Sequence, residues 1–228
     1  MGGGPVRAGG TDLTDLVAEL RGSGVERVVL VMRHGAREYD RENPAREPLL
    51  PLTERGRAEA RAFGERLDVP SARFESSPVG RCRETATLVG EGAAHKGVST
   101  DDNVVRMHLG AFFIKDLTSV IGDCIQRGAQ AVFVDWAVHG MSRDDLMDPD
   151  LAYAQMMTPL VNSLRDGPAA TVCVTHDANI YLARTRCFAN EAQALGPVGY
   201  LEGFALFERG GELHVASPQF RPRPLPQP

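Results

Sequence analysis

Unbroken apolar runs alternate along this chain with segments whose apolar residues recur every three or four positions. VVLVM (28–32) and TVCVT (171–175) are too short to be core helices and rich in β-branched residues, so they predict strands buried on both faces. ARFESSP (72–78) reads as a further short strand, and GFALFERGGELHVASP (203–218) as a hairpin turning at Gly210-Gly211. Helical spacing predicts a helix over 11–24, capped by Thr11 and stopped by Gly22 and Gly24. It predicts another over 51–67, capped by Thr53 with Ala58, Ala62, Phe63 and Leu67 on its apolar face. A helix opened by Pro78 follows through GRCRETATLVGEG (80–92). DLTSVIGDCIQRG (116–128) and DPDLAYAQMMTPLVNSLRDG (148–167) also read as helices. AQAVFVDWAV (129–138) fits either helix or strand, VSTDDNVVRM (98–107) is extended, and Glu38–Pro51 is a loop.

Strands alternating with helices predict an α/β fold, a three-layer α/β/α sandwich around a mostly parallel sheet. The domain organisation expected is a flexible tail over 1–10, a single domain over 11–220 and a solvated Pro-rich tail over 221–228. A small helical cap is inserted at about 108–150. In such a sheet, ligands gather at the carboxyl ends of the strands. Three motifs bearing arginine or histidine stand there: after VVLVM, after the strand ending FESSP, and after TVCVT.

Composition narrows the class. With 43% hydrophobic and 24% charged residues the chain is an ordinary globular protein, and a net charge of -5 argues against nucleic acid as a partner. No apolar stretch is long enough for a membrane span, and MGGGPVRAGG (1–10) lacks the apolar core of a signal peptide, so a cytoplasmic protein is expected. Cys82, Cys124, Cys173 and Cys187 show no metal-ligand spacing and read as reduced thiols, Cys173 within the core. Only Lys96 and Lys115 are lysines; the arginine excess as a whole reflects codon bias, and only arginines at particular positions argue for chemistry.

Those positions are Arg33, Arg37 and Arg81. Arg33-His34-Gly35 follows a buried strand, which aims the histidine rigidly at a cleft, and Arg37 adds a second charged fork that matches phosphate oxygens. Arg81 falls in the first turn of a helix, where the backbone itself attracts anions. In Thr175-His176-Asp177-Ala178-Asn179, a carboxylic acid beside a cleft is a candidate proton donor to a leaving alcohol. A histidine nucleophile, a ring of cations and one acid are the parts required for stepwise hydrolysis of a phosphate monoester.

RHGAR (33–37), LTERGRAEARAFGERL (52–67), SSPVGRCRETA (76–86) and THDAN (175–179), in this order and spacing, resemble the histidine phosphatase superfamily. The resemblance implies His34 as nucleophile within a phosphate pocket of Arg33, Arg37, Arg81 and His176, with neither metal nor organic cofactor. Features of two branches mix. RHGxR and His-Asp-x-Asn are similar to the acid phosphatase branch, which implies Asp177 as the donor. SSPxxRCxETA is similar to the phosphoglycerate mutase branch, where the donor is a glutamate elsewhere; acids in 101–116, such as Asp102 and Asp116, stand in reserve. The function this implies is a metal-independent phosphomonoesterase acting on a small phosphorylated metabolite through a phosphohistidine. A mutase or a catalytically silent phosphate-binding module are the alternatives. Trp136, His139 and Arg143 either line the cap or are core and surface residues.

Overall fold

The computed structural model describes residues 12–38, 46, 49–140, 143–193 and 196–227, apart from the side chains of 130 and 189–193. The expected tail over 1–10, the Thr11 cap and most of the 38–51 loop lie outside these residues. Helix α1 (Leu13–Gly22) instead begins on a capping box in which Asp12 accepts from the backbone of Thr14 and Asp15. Then come β1 (Val28–Arg33), α2 (Glu54–Glu65), β2 (Ser71–Ser76), α3 (Gly80–His95), and two short strands, β3 (Ser99–Thr100) and β4 (Val104–Val105). The segment expected as a cap holds α4 (Leu117–Arg127) and α5 (Ala129–His139). The chain closes with α6 (Pro149–Asp166), β5 (Ala170–Thr175), α7 (Asp177–Gln193), β6 (Gly203–Arg209), β7 (Glu212–Ser217) and β8 (Phe220–Pro224).

The described strands form one eight-stranded sheet in the order β3-β2-β5-β1-β6-β7-β8, with β4 also on β2. Strands β1 and β2 flank β5 in parallel, and β3 and β4 pair β2 in parallel. β6, β7 and β8 add to the other side antiparallel, with β6 on β1. The sheet is therefore mixed, which corrects the expectation of a mostly parallel one. A tight Gly210-Gly211 turn joins antiparallel neighbours, and that hairpin extends the same sheet rather than standing apart. β8 also takes up residues 221–224, expected in a solvated tail. Its prolines are tolerated because it is an edge strand.

The fold is a three-layer α/β/α sandwich because each central strand buries both faces. Val28, Leu30 and Met32 of β1 pack toward α1, α2 and α3, while Val29 and Val31 pack toward the cluster that α4, α5, α6 and α7 share. The undecided segment 129–138 is helical. Trp136, fully buried, stacks on Phe113 at 4.6 Å and donates to the Met147 carbonyl, while α5 packs across α7. No described helix is long and apolar enough to cross a membrane.

Candidate active site

The carboxyl ends of β1, β2 and β5 and the N-termini of α3 and α7 meet at one place, and His34 lies there. Its backbone N–H donates to Thr175 O at 3.0 Å, which continues the β1–β5 ladder one residue past the strand. The next residue is fixed from α3: Gly35 N–H donates to Thr85 Oγ1 at 3.0 Å, and Thr85 Oγ1 donates to Arg81 O at 2.7 Å. On the other side Ala36 presses against α2. A Cβ on Gly56 would stand 2.2 Å from Ala36 O, so only glycine lets the helix start close enough to hold this loop.

His34 is 2% exposed. Its Nδ1 lies 2.8 Å from Gly35 O. A carbonyl only accepts, so Nδ1 carries the proton and Nε2 carries the lone pair. Arg81 agrees with that tautomer, donating from Nε to His34 Nε2 at 3.0 Å. The same guanidinium reaches His176 Nδ1 at 3.5 Å, and His176 Nε2 lies 2.9 Å from Ser77 Oγ. One arginine fork thus bridges two imidazoles whose rings stand 5.7 Å apart, nearly perpendicular.

Burial, reinforced by the Arg81 charge, pushes the His34 pKa down to about 2 and the His176 pKa down to about 3. Both rings are therefore neutral at ordinary pH, and a neutral imidazole is the nucleophilic form. Cys82 packs 3.7 Å from His176 Nε2, and burial raises its thiol to about 12, so it is an inert part of the wall.

Arg33 and Asp177 form the rim. Arg33 Nη2 pairs with Asp177 Oδ2 at 2.9 Å, and Nη1 donates to Val198 O at 2.5 Å. Asp177 is half exposed, is the first residue of α7, and accepts its neighbour Ala178 N–H at 2.9 Å. Arg37 bridges to Leu52 through its backbone. Its guanidinium donates to Glu38 O, and its charge is among those that depress His176. The segment 103–110, which leads to α4, braces this end of the sheet. Arg106 pairs with the fully buried Glu75 at 3.0 Å, Asn103 donates to Ser76 Oγ, Thr175 Oγ1 donates to Leu109 O, and Asn179 Nδ2 donates to Gly110 O.

Of the residues singled out in the sequence, Arg33, His34, Arg81, His176 and Asp177 come together through direct contacts or single bridges. Arg37 stands beside them. The reserve acids do not join them: Asp116 caps α4, accepting from Thr118 and Ser119, and Asp102 is exposed. Trp136 is core, His139 is exposed, and Arg143 is bound by Asp123 and Asp145. Sequence reasoning assigned no role to Ser77, Thr85 or Tyr200. Ser77 and Thr85 lie within the SSPVGRCRETA motif, so their place in the chain was already marked. Tyr200, whose ring lies 4.4 Å from the Arg33 guanidinium, has no motif around it.

With the geometry established, relatives are informative. The sequence profile of the histidine phosphatase superfamily (branch 1) matches residues 29–146, just over half of the chain. The chain belongs to the histidine phosphatase superfamily. Solved structures agree on the fold. Bacillus stearothermophilus YhfR aligns with TM-score 0.58 at 20% identity, covering 84% of this chain and 96% of that one. A protein described as mycobacterial hydrolase 1 aligns with TM-score 0.56 at 19% identity, covering 87% and 96%. The phosphoglycerate mutase of Bacillus anthracis aligns with TM-score 0.52 at 18% identity, covering 84% and 92%. No curated protein sequence matches. The family match ends before His176 and Asp177, so their place in the site rests on the contacts above.

Proposed function

We propose that this histidine phosphatase is a phosphoric monoester hydrolase that works without a metal through a phosphohistidine on His34. The observation that carries this reading is the geometry of the buried His34 ring, with Nδ1 against Gly35 O and Nε2 against Arg81 Nε, which implies an Nε2 lone pair facing the arginine. A phosphate monoester entering the site draws the Arg81 N–H from His34 Nε2 to a phosphoryl oxygen, which frees the lone pair for in-line attack. The Nε2–P bond forms as the P–O bond to the leaving alcohol breaks. Arg33, Arg37 and Arg81, with the N-terminus of α3, neutralise the equatorial oxygens, a task a metal ion performs in other phosphatases.

Asp177 is the proposed proton donor. Phosphate takes its place on Arg33, and the released carboxyl group, once protonated, gives its proton to the leaving oxygen. In the second half it accepts a proton from water as that water attacks phosphorus and breaks the N–P bond. His176 helps bind the phosphoryl group. The proposed substrate is a small phosphorylated metabolite, and four free cysteines suit the reducing cytoplasm.

The test is phosphate release from p-nitrophenyl phosphate in excess chelator, wild type against His34→Ala. Activity that persists in chelator and disappears in the variant supports the reading; activity kept by the variant refutes it. Formation of an isomeric phosphate ester with little free phosphate would identify a mutase instead.

A further inference from the structure

We propose that Tyr200 is the positioning residue for Arg33, so that an aromatic shelf outside every recognisable motif sets how tightly the site holds a phosphoryl group. This rests on the phosphate-binding role given to Arg33 above. The guanidinium carbon of Arg33 lies 4.4 Å from the centre of the Tyr200 ring, and the same ring stands 5.8 Å from that of His34. The edges of the guanidinium are fixed by Val198 O and Asp177 Oδ2, and its Nε is buried without a hydrogen-bond partner among the described residues. Two in-plane contacts leave the tilt of a planar group open; a ring against its face closes that freedom. When phosphate displaces Asp177, the Val198 carbonyl and the Tyr200 ring are what hold the fork in place.

The turn that carries Tyr200 is built around Arg33. Arg33 N–H donates to Glu202 O at 2.9 Å, and Leu201 N–H donates to Arg33 O at 3.2 Å. Between these bonds Leu201 adopts φ 58°, the one left-handed non-glycine residue among those described. Such a conformation persists only where its surroundings over-determine it, and it is typical of sites that hold a functional group in place. Here Glu202 Oε2 accepts from Gly199 N–H at 2.9 Å and from the buried Arg184 at 3.2 Å, locking the turn from behind. Leu201 packs against the hydrophobic core, while Tyr200 stays half-buried outside it and faces the site.

The experiment measures the affinity for inorganic phosphate by calorimetry in wild type, Tyr200→Phe and Tyr200→Ala, and again with Arg33→Ala in each background. The expected result is affinity within about twofold for the phenylalanine variant and a loss of roughly five- to thirtyfold for the alanine variant. With Arg33 already removed, Tyr200→Ala should cost less than about twofold, because Tyr200 acts through that arginine. In turnover, the loss should appear in KM more than in kcat. Unchanged affinity in Tyr200→Ala, or the same loss with and without Arg33, overturns the proposal, as does an equal loss in Tyr200→Phe. If Tyr200→Ala does not fold, Tyr200→Leu, which keeps the bulk and removes the π face, carries the same comparison. Wild-type turnover of p-nitrophenyl phosphate separates the two readings. An inactive wild type whose phosphate affinity still depends on Tyr200 counts against the hydrolase alone. An active wild type indifferent to Tyr200 counts against this proposal alone.

Discussion

At the scale of single residues, the site depends on Arg81 performing two tasks with one planar group. It reinforces the burial that keeps His34 and His176 neutral, and in the proposed mechanism it supplies the donor that moves to the phosphoryl oxygen. Arg81→Ala should therefore raise the His34 pKa from about 2 toward its ordinary value, since one of the causes holding it down is removed. It should also reduce kcat by about 100- to 1,000-fold through the lost oxyanion donor. NMR titration of the ring and steady-state kinetics check the two effects, and an unchanged His34 pKa would contradict the first. Asp177→Asn should impair hydrolysis of alkyl phosphates by about 100-fold or more, and of p-nitrophenyl phosphate far less, because nitrophenolate leaves without a proton. Equal losses on both substrates would assign the proton to another group. Much of this site was legible beforehand, because Arg33, His34, Arg81 and His176 sit in motifs at strand ends and helix starts. Tyr200 was not, because its role comes from a fold-dependent turn rather than from any local pattern.

At the scale of elements, the α2 N-terminus packs closely against the loop that follows His34. Gly56→Ala places a methyl group within 2.2 Å of Ala36 O, so α2 or the loop must move. The expected cost is about 1–3 kcal/mol of stability, together with a fall in kcat as His34 shifts. Gly22→Ala is the control: a Cβ there meets nothing within 4 Å, and stability should stay within about 0.5 kcal/mol. Urea denaturation and kinetics on both variants check this, and equal behaviour would refute the close-packing account. Periodicity located α1, α2, α3, α4, α6 and the buried strands, but no helix was expected over α7. It could not settle α5, whose apolar residues run around the helix and so lack a 3.6-residue stripe. It also missed the edge strand β8 because prolines at residues 222 and 224 mimic a solvated tail.

At the scale of the whole molecule, two neutral buried histidines tie stability to pH. In the unfolded chain His34 and His176 return to a pKa near 6.5, while in the fold they lie at about 2 and 3. Below pH 6.5 the unfolded chain takes up protons that the folded protein does not. Their contribution is thus fully present above 6.5 and declines as pH falls toward 3. Each ring contributes a slope of up to about 1.4 kcal/mol per pH unit. A His34→Gln, His176→Gln double variant should flatten the stability–pH curve between pH 6 and 4, as read from urea midpoints; an unchanged slope would show that the rings are not the cause. The layer architecture was legible at this scale from alternating strands and helices. The mixed sheet was not, because strand order is set by which edge a hairpin joins, and no residue pattern within the hairpin specifies that edge.

The central claim is a phosphoryl group carried on His34 Nε2. The most direct measurement is to mix enzyme with a phosphorylated substrate, quench in base, where phosphohistidine survives, and map the modified residue by mass spectrometry. The account predicts one phosphoryl group on the peptide bearing His34, lost on acid treatment and absent from His34→Ala. A turning-over enzyme that carries the group on another residue, or forms it equally in the variant, would contradict it.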